Sequence, residues 1–124
     1  MPGLKTRILI VEDDKELLEA IGATFERDFD VQLANDGVQA WEKFFTFNPI
    51  IVITDVVMPI MDGAKLTRKI KGESPTTVVF AISGASDIYL RQAKIAGADA
   101  VFEKPNGMTS LLPKVQAFQK SIES

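Results

Sequence analysis

The stretch IVITDVVMPIMDG, Ile51 to Gly63, ends an apolar run on Asp55 and then carries no further charge until Asp62. With Ile50 just ahead of it, the run places four apolar residues and a threonine before a lone acid, which describes a buried strand whose mouth holds a carboxylate. Burying that group is costly unless something binds it. Asp55 therefore either caps a turn or faces a ligand, and the segments around it decide between the two.

Four similar runs flank this one: RILIV (7–11), VQLA (31–34), TVVFAI (77–82) and AVFE (100–103), with the central run read as IIVIT (50–54). Three are continuous and rich in β-branched residues, as strands covered on both faces are. Between them lie longer amphipathic stretches. Leu17, Ile21 and Phe25 recur every four residues; Ala40 and Phe44 do the same, with Trp41 and Phe45 alongside. After the last run, Leu111, Leu112, Val115, Phe118 and Ile122 share one helical face. A start near Ser110 places Pro113 in the first turn, where its missing N–H has no acceptor in any case. Five alternating strand–helix units predict right-handed crossovers and a doubly wound α/β domain built on a parallel sheet.

The 124 residues are enough for one core, and we expect a single domain over 1–124 with no output domain. No apolar run approaches the ~20 residues that span a bilayer, and MPGLKTR has no apolar segment behind its charges, so neither a membrane span nor a secretory signal is predicted. A cytoplasmic location follows as an expectation. A net charge of −3 without a run of Lys or Arg argues against direct binding to nucleic acid. The chain has no Cys and no His, which removes thiolates and imidazoles from any scheme. Chemistry here rests on carboxylates, hydroxyls, Lys and a hard metal ion.

In open parallel sheets ligands gather at the carboxyl ends of the strands. Following the runs in order, those ends carry Glu12, Asp13 and Asp14; then Asp55; then Ser83, Gly84 and Ala85; then Lys104 and Pro105. Taken singly, each has a plainer reading. Asp13 or Asp14 is a natural helix N-cap, Ser83 a loop hydroxyl, and Lys104 a solvated ammonium. Taken together, an acid cluster, a lone acid, a hydroxyl and a cation at one rim make a site. Three carboxylates, Glu12, Asp13 and Asp55, repel one another, and a hard dication with oxygen ligands relieves that repulsion; Mg²⁺ is the best fit.

ILIVEDD (8–14), DVVMPIMDG (55–63), AISGAS (81–86) and GADAVFEKP (97–105) resemble, in order and over essentially the whole chain, the signature segments of the response-regulator receiver domain of two-component signalling. The resemblance implies a flavodoxin-like sheet in the order 2-1-3-4-5. It implies Asp55 as phosphoacceptor, with Asp13 and Asp55 as direct Mg²⁺ ligands, Glu12 mostly through water, and the backbone carbonyl of Val57 as a further ligand. Lys104 and Ser83 then hold phosphoryl oxygens, and Gly84 leaves the entrance open. Aspartyl phosphate formation is an established use of a carboxylate nucleophile, and the transfer needs mainly positioning and charge neutralisation. The donor is expected to be a histidine kinase or histidine phosphotransfer protein, because the chain has no His; a small acyl phosphate is the other source. The activity is confined to the chain's own phosphorylation and dephosphorylation. Output is expected through protein contacts on the face of the fourth helix, fifth strand and fifth helix, toward a target the sequence does not name.

Several positions depart from the family. Val101 stands where an aromatic residue is common, and Phe102 points to the opposite face and into the core. Asn106 follows the Lys104–Pro105 pair, whose bond the resemblance implies is cis. Val57 and Ala85 offer no side-chain hydrogen bond to an attacking water, which predicts a long-lived phospho-form. A haloacid-dehalogenase-like phosphatase or a Toprim-type domain would want a second acid near Asp55, as in D-x-D, where this chain has DVV. No G-x-G-x-x-G or G-x-x-x-x-G-K-[ST] loop supports a nucleotide-binding enzyme. A receiver-like scaffold that binds without phosphorylation is the remaining alternative.

Overall fold

The computed structural model describes residues 5–84, 87–104 and 107–123. Ala85, Asn106 and the Lys104–Pro105 bond, each the subject of an expectation above, lie outside or at the edge of the described residues. The elements alternate strictly: β1 (Thr6–Val11), α1 (Lys15–Phe25), β2 (Phe29–Ala34), α2 (Gly37–Phe47), β3 (Ile51–Asp55), α3 (Gly63–Glu73), β4 (Val78–Ser83), α4 (Asp87–Ile95), β5 (Ala100–Glu103) and α5 (Met108–Glu123). The strands form one parallel sheet in the order β2-β1-β3-β4-β5. This is the doubly wound, flavodoxin-like architecture expected.

Side chains on β1, β3 and β4 alternate between two apolar layers, as period-two geometry demands. Ile8, Ile10, Ile51, Ile53, Phe80 and Ile82 point to the α1 and α5 side, where Leu18, Ile21, Phe25, Leu111 and Val115 cover them. Leu9, Val11, Val52 and Val79 point the other way, under Ala40, Phe44, Leu66 and Ile70 of α2 and α3. Covering both faces explains why the central runs are apolar without alternation. Each such Ile or Leu contributes roughly 1.5–3 kcal/mol by leaving water. Phe102 is buried in the first layer edge to face with Phe80, while Val101 packs on the other side against Ala81, Ala93 and Ala98.

Several boundaries differ from the sequence reading, and three of them bear on the site. Asp55 and Ser83 are the last residues of their strands rather than the first residues after them, so both are held in a sheet frame. Helix α5 starts at Met108, two residues earlier than expected, and Pro113 therefore sits in its second turn. There it removes a donor from the helical ladder. Gly107 explains the early start: its N–H reaches the Glu103 carbonyl, and a Cβ on it would fall 2.5 Å from that same oxygen.

Candidate functional site

Parallel register brings the strand ends level. Val11 pairs with Thr54, which sets Glu12 beside Asp55. Asp55 pairs with Ile82, and Ser83 with Glu103, so Ser83 and Lys104 follow one step further along the same rim. The chain leaves β1 through Glu12 and Asp13 and enters α1 at Asp14, whose side chain accepts the Leu17 N–H at 3.2 Å. The cap is thus Asp14, and Asp13 is left to the rim.

The turn after Asp55 is held by close backbone packing. The Val56 N–H donates to Ile82 O at 2.9 Å, and the Gly63 N–H to Val56 O at 2.7 Å. A Cβ on Gly63 would lie 2.1 Å from the Asp55 carbonyl oxygen. Only glycine allows α3 to begin against the end of β3. Asp62 caps that helix by accepting the Lys65 N–H at 2.8 Å. Of the two roles considered for Asp55, the cap falls to Asp62, and Asp55 faces the rim. Sequence reasoning passed over Gly63, although a glycine directly after an N-cap acid is a readable signal for close packing.

Glu12, Asp13 and Asp55 present carboxylate oxygens that lie within 4.8 Å of one another. Glu12 is fully buried and Asp55 is 5% exposed, whereas Asp13 opens to solvent. Lys104 reaches in from β5: its Nζ is 2.5 Å from Glu12 Oε1 and 3.4 Å from Asp55 Oδ1. The second Glu12 oxygen accepts the Asp14 N–H at 3.2 Å. Ser83 is fully buried at the end of β4, and the Lys104 N–H donates to its carbonyl at 2.9 Å. Among the described residues the Val57 carbonyl accepts no backbone hydrogen bond, and its side chain is 44% exposed.

The electrostatics follow from this crowding. Burial, followed by the hydrogen bond and charge of Glu12, pushes the Asp55 carboxyl from its ordinary 3.8 up to about 7, against the pull of Lys104. Burial works against the Lys104 ammonium, but Glu12 and Asp55 outweigh it and raise its pKa. With all acids ionised, three carboxylates and one ammonium leave a formal charge of −2. Oxygen donors alone, two of them buried, with excess negative charge suit a hard dication such as Mg²⁺ better than a soft metal. All the side chains singled out from the sequence, Glu12, Asp13, Asp55, Ser83 and Lys104, stand at this one rim; Val57 lies in the loop after Asp55.

A family model described as the response regulator receiver domain matches residues 8–116. The response regulator protein GraR of Staphylococcus saprophyticus is 35% identical over 116 residues, which cover 93% of this chain and 52% of that protein. The transcriptional regulatory protein CseB of Streptomyces coelicolor is 35% identical over 114 residues, 91% of this chain and 49% of that one. The chain thus spans about half the length of the curated relatives it matches. Among solved structures, a CheY-like response regulator receiver domain protein from Methanospirillum hungatei superposes with a TM-score of 0.87 at 27% identity, covering 96% of this chain and 97% of that one.

Proposed function

The chain belongs to the response regulator receiver domain family, and on that premise we propose that Asp55 accepts a phosphoryl group from a histidine-phosphorylated partner and thereby switches a protein-interaction surface. The observation that carries this reading is the acid cluster itself: three carboxylates with oxygens within 4.8 Å of one another, and the Lys104 ammonium 3.4 Å from that of Asp55. A purely structural rim has no use for such a concentration of like charge.

In the proposed reaction an Asp55 oxygen attacks phosphorus as the bond from phosphorus to the donor nitrogen breaks. The donor imidazole leaves with the electron pair and picks up a proton from water. Asp55 must be ionised to attack, and the cluster as it stands holds it protonated up to about pH 7. Glu12, Asp13, Asp55 and the Val57 carbonyl would hold Mg²⁺, which supplies charge neutralisation that ionises the nucleophile and offsets the charge of the phosphoryl oxygens. Lys104 provides a point charge to those oxygens, giving up part of its contact with Glu12. Ser83 donates its hydroxyl to another of them. The donor histidine lies outside these residues, because the chain contains none. A histidine kinase or a histidine phosphotransfer protein fits that role.

Phosphorylation adds roughly −1.5 to −2 charges at the rim, and the response is a shift between two arrangements of the rim at Ser83 and Lys104. Residues 1–124 act as one receiver unit, whose chemistry is confined to its own phosphorylation and dephosphorylation. Output runs through α4, β5 and α5, where Ile88, Tyr89 and Ile95 are exposed apolar side chains on α4. Among the described residues no helix is long and apolar enough to cross a membrane. The direct test is beryllofluoride with Mg²⁺. Amide resonances around Ser83 and Lys104 shift in the wild type and stay unchanged in Asp55→Ala; an unmoved wild-type spectrum would make the chain a scaffold.

A further inference from the structure

Phe45 was expected to join the apolar stripe of α2, yet it is 55% exposed. It stands in line with Val38 and Trp41 at i, i+3 and i+7 spacing, and Val38 is exposed as well. The rings are set as a unit. Trp41 meets Phe45 edge to face at 4.7 Å between centroids, and Phe44 beneath stacks on Trp41 at 5.8 Å. Trp41 also packs on the core layer under α2, so the ridge is anchored.

Beside it, α3 turns Lys65, Arg68 and Lys69 outward, and Lys69 Nζ lies 4.7 Å from the centroid of the Trp41 ring. Neither Lys65 nor Arg68 has an ion-pair partner among the described residues, in a chain whose net charge is −3. Asp62 and Glu73 stand at the two ends of α3, and Glu42 is the single acid on α2. The result is an aromatic ridge flanked by a short row of cations.

We infer that the α2–α3 face docks an acidic amphipathic helix of a partner protein. Its apolar side chains cover Val38, Trp41 and Phe45, and its carboxylates pair with Lys65, Arg68 and Lys69. Aromatic residues and Arg dominate the energetics of protein interfaces, and an apolar ridge with charge along one side is the complement of an amphipathic helix. A nucleic acid or an anionic membrane fits less well. Such polyanions need a broad basic footprint, and three cations bordered by Asp62, Glu42 and Glu73 do not provide one.

The test titrates the whole chain with a synthetic helical peptide of about 16 residues, Glu on one face and Leu and Phe at i, i+3, i+4 and i+7 on the other. Trp41, the chain's single Trp, reports binding by fluorescence, and amide shifts locate it. The expected result is a saturable change in Trp41 emission, with amide shifts confined to α2 and α3. Phe45→Gln and the double variant K65E/R68E each weaken binding at least about tenfold without changing the unfolding temperature. If Phe45→Gln fails to fold, the charge-reversal variant, made at two exposed positions, still decides. The inference is overturned if Trp41 does not respond, if a peptide with Lys in place of Glu binds as well, if K65E/R68E binds like wild type, or if the shifts map elsewhere. A Trp41 change that follows protein concentration alone assigns the face to a second copy instead. Equal binding to phosphatidylglycerol vesicles or duplex DNA assigns it to those polyanions.

Discussion

At the scale of the residue, Asp55 is the group on which the proposed chemistry turns. Its carboxyl is raised to about 7, so the folded state holds a proton that the unfolded chain releases near its ordinary 3.8. The stability this proton contributes is fully present below the lower value and is lost as pH rises through the upper one. Asp55→Asn has no such proton to lose. We therefore expect the variant to match the metal-free wild type at about pH 4 and to exceed it by up to roughly 4 kcal/mol at about pH 8 in denaturant unfolding. A constant difference across that range would contradict the raised carboxyl. Val57 carries a second prediction. Its apolar side chain cannot orient water, so Val57→Asn shortens the phospho-form lifetime several-fold by radiolabel decay, and an unchanged lifetime would remove Val57 from that role. Asp55 was legible in the sequence because a charge ending an apolar run is anomalous on its own. The Lys104 contact with Glu12 was not, because residues 92 positions apart meet only through the register of the sheet.

At the scale of the element, the loop from β3 into α3 is where backbone geometry serves the site. Gly63 sits where a Cβ would lie 2.1 Å from the Asp55 carbonyl oxygen, so Gly63→Ala must push α3 away from β3. A loss of about 3 kcal/mol or more in equilibrium unfolding is expected, together with slower phosphorylation. Ile60 is the opposite case. It is held at a φ of 71° while 82% exposed, so a β-branched side chain occupies the left-handed region without burying itself. Ile60→Gly relieves that strain and raises stability by roughly 0.5–1 kcal/mol, which thermal unfolding can resolve. Periodicity located the five strands and α1, α2 and α5, because apolar spacing follows directly from burial, whereas α3 and α4 followed only from the expectation of five strand–helix units. It misplaced the start of α5 because that boundary depends on Gly107 packing against Glu103, a contact no local pattern announces. Phe45 was read as apolar and therefore inward, although an apolar residue beside a stripe is equally free to face out.

At the scale of the molecule, the rim exists because five parallel strands end together. The alternation of strands and helices made the doubly wound class readable from burial alone, whereas the order β2-β1-β3-β4-β5 was supplied by resemblance to a family. With that order, acids from β1 and β3 and the cation after β5 meet in a space none of them occupies in sequence. The same convergence predicts how the whole fold responds to metal. Mg²⁺ is expected to raise the unfolding temperature more at about pH 8 than at about pH 5.5, because protons compete for Asp55 in the acidic range. An equal rise at both would place the ion elsewhere. The most direct measurement is borohydride trapping after incubation with acetyl phosphate, which reduces an aspartyl phosphate to homoserine that peptide mass spectrometry can locate. Phosphorylation of Asp55 predicts homoserine at position 55, formed with Mg²⁺ and absent without it. Homoserine at another acid, or none in the presence of Mg²⁺, would contradict it.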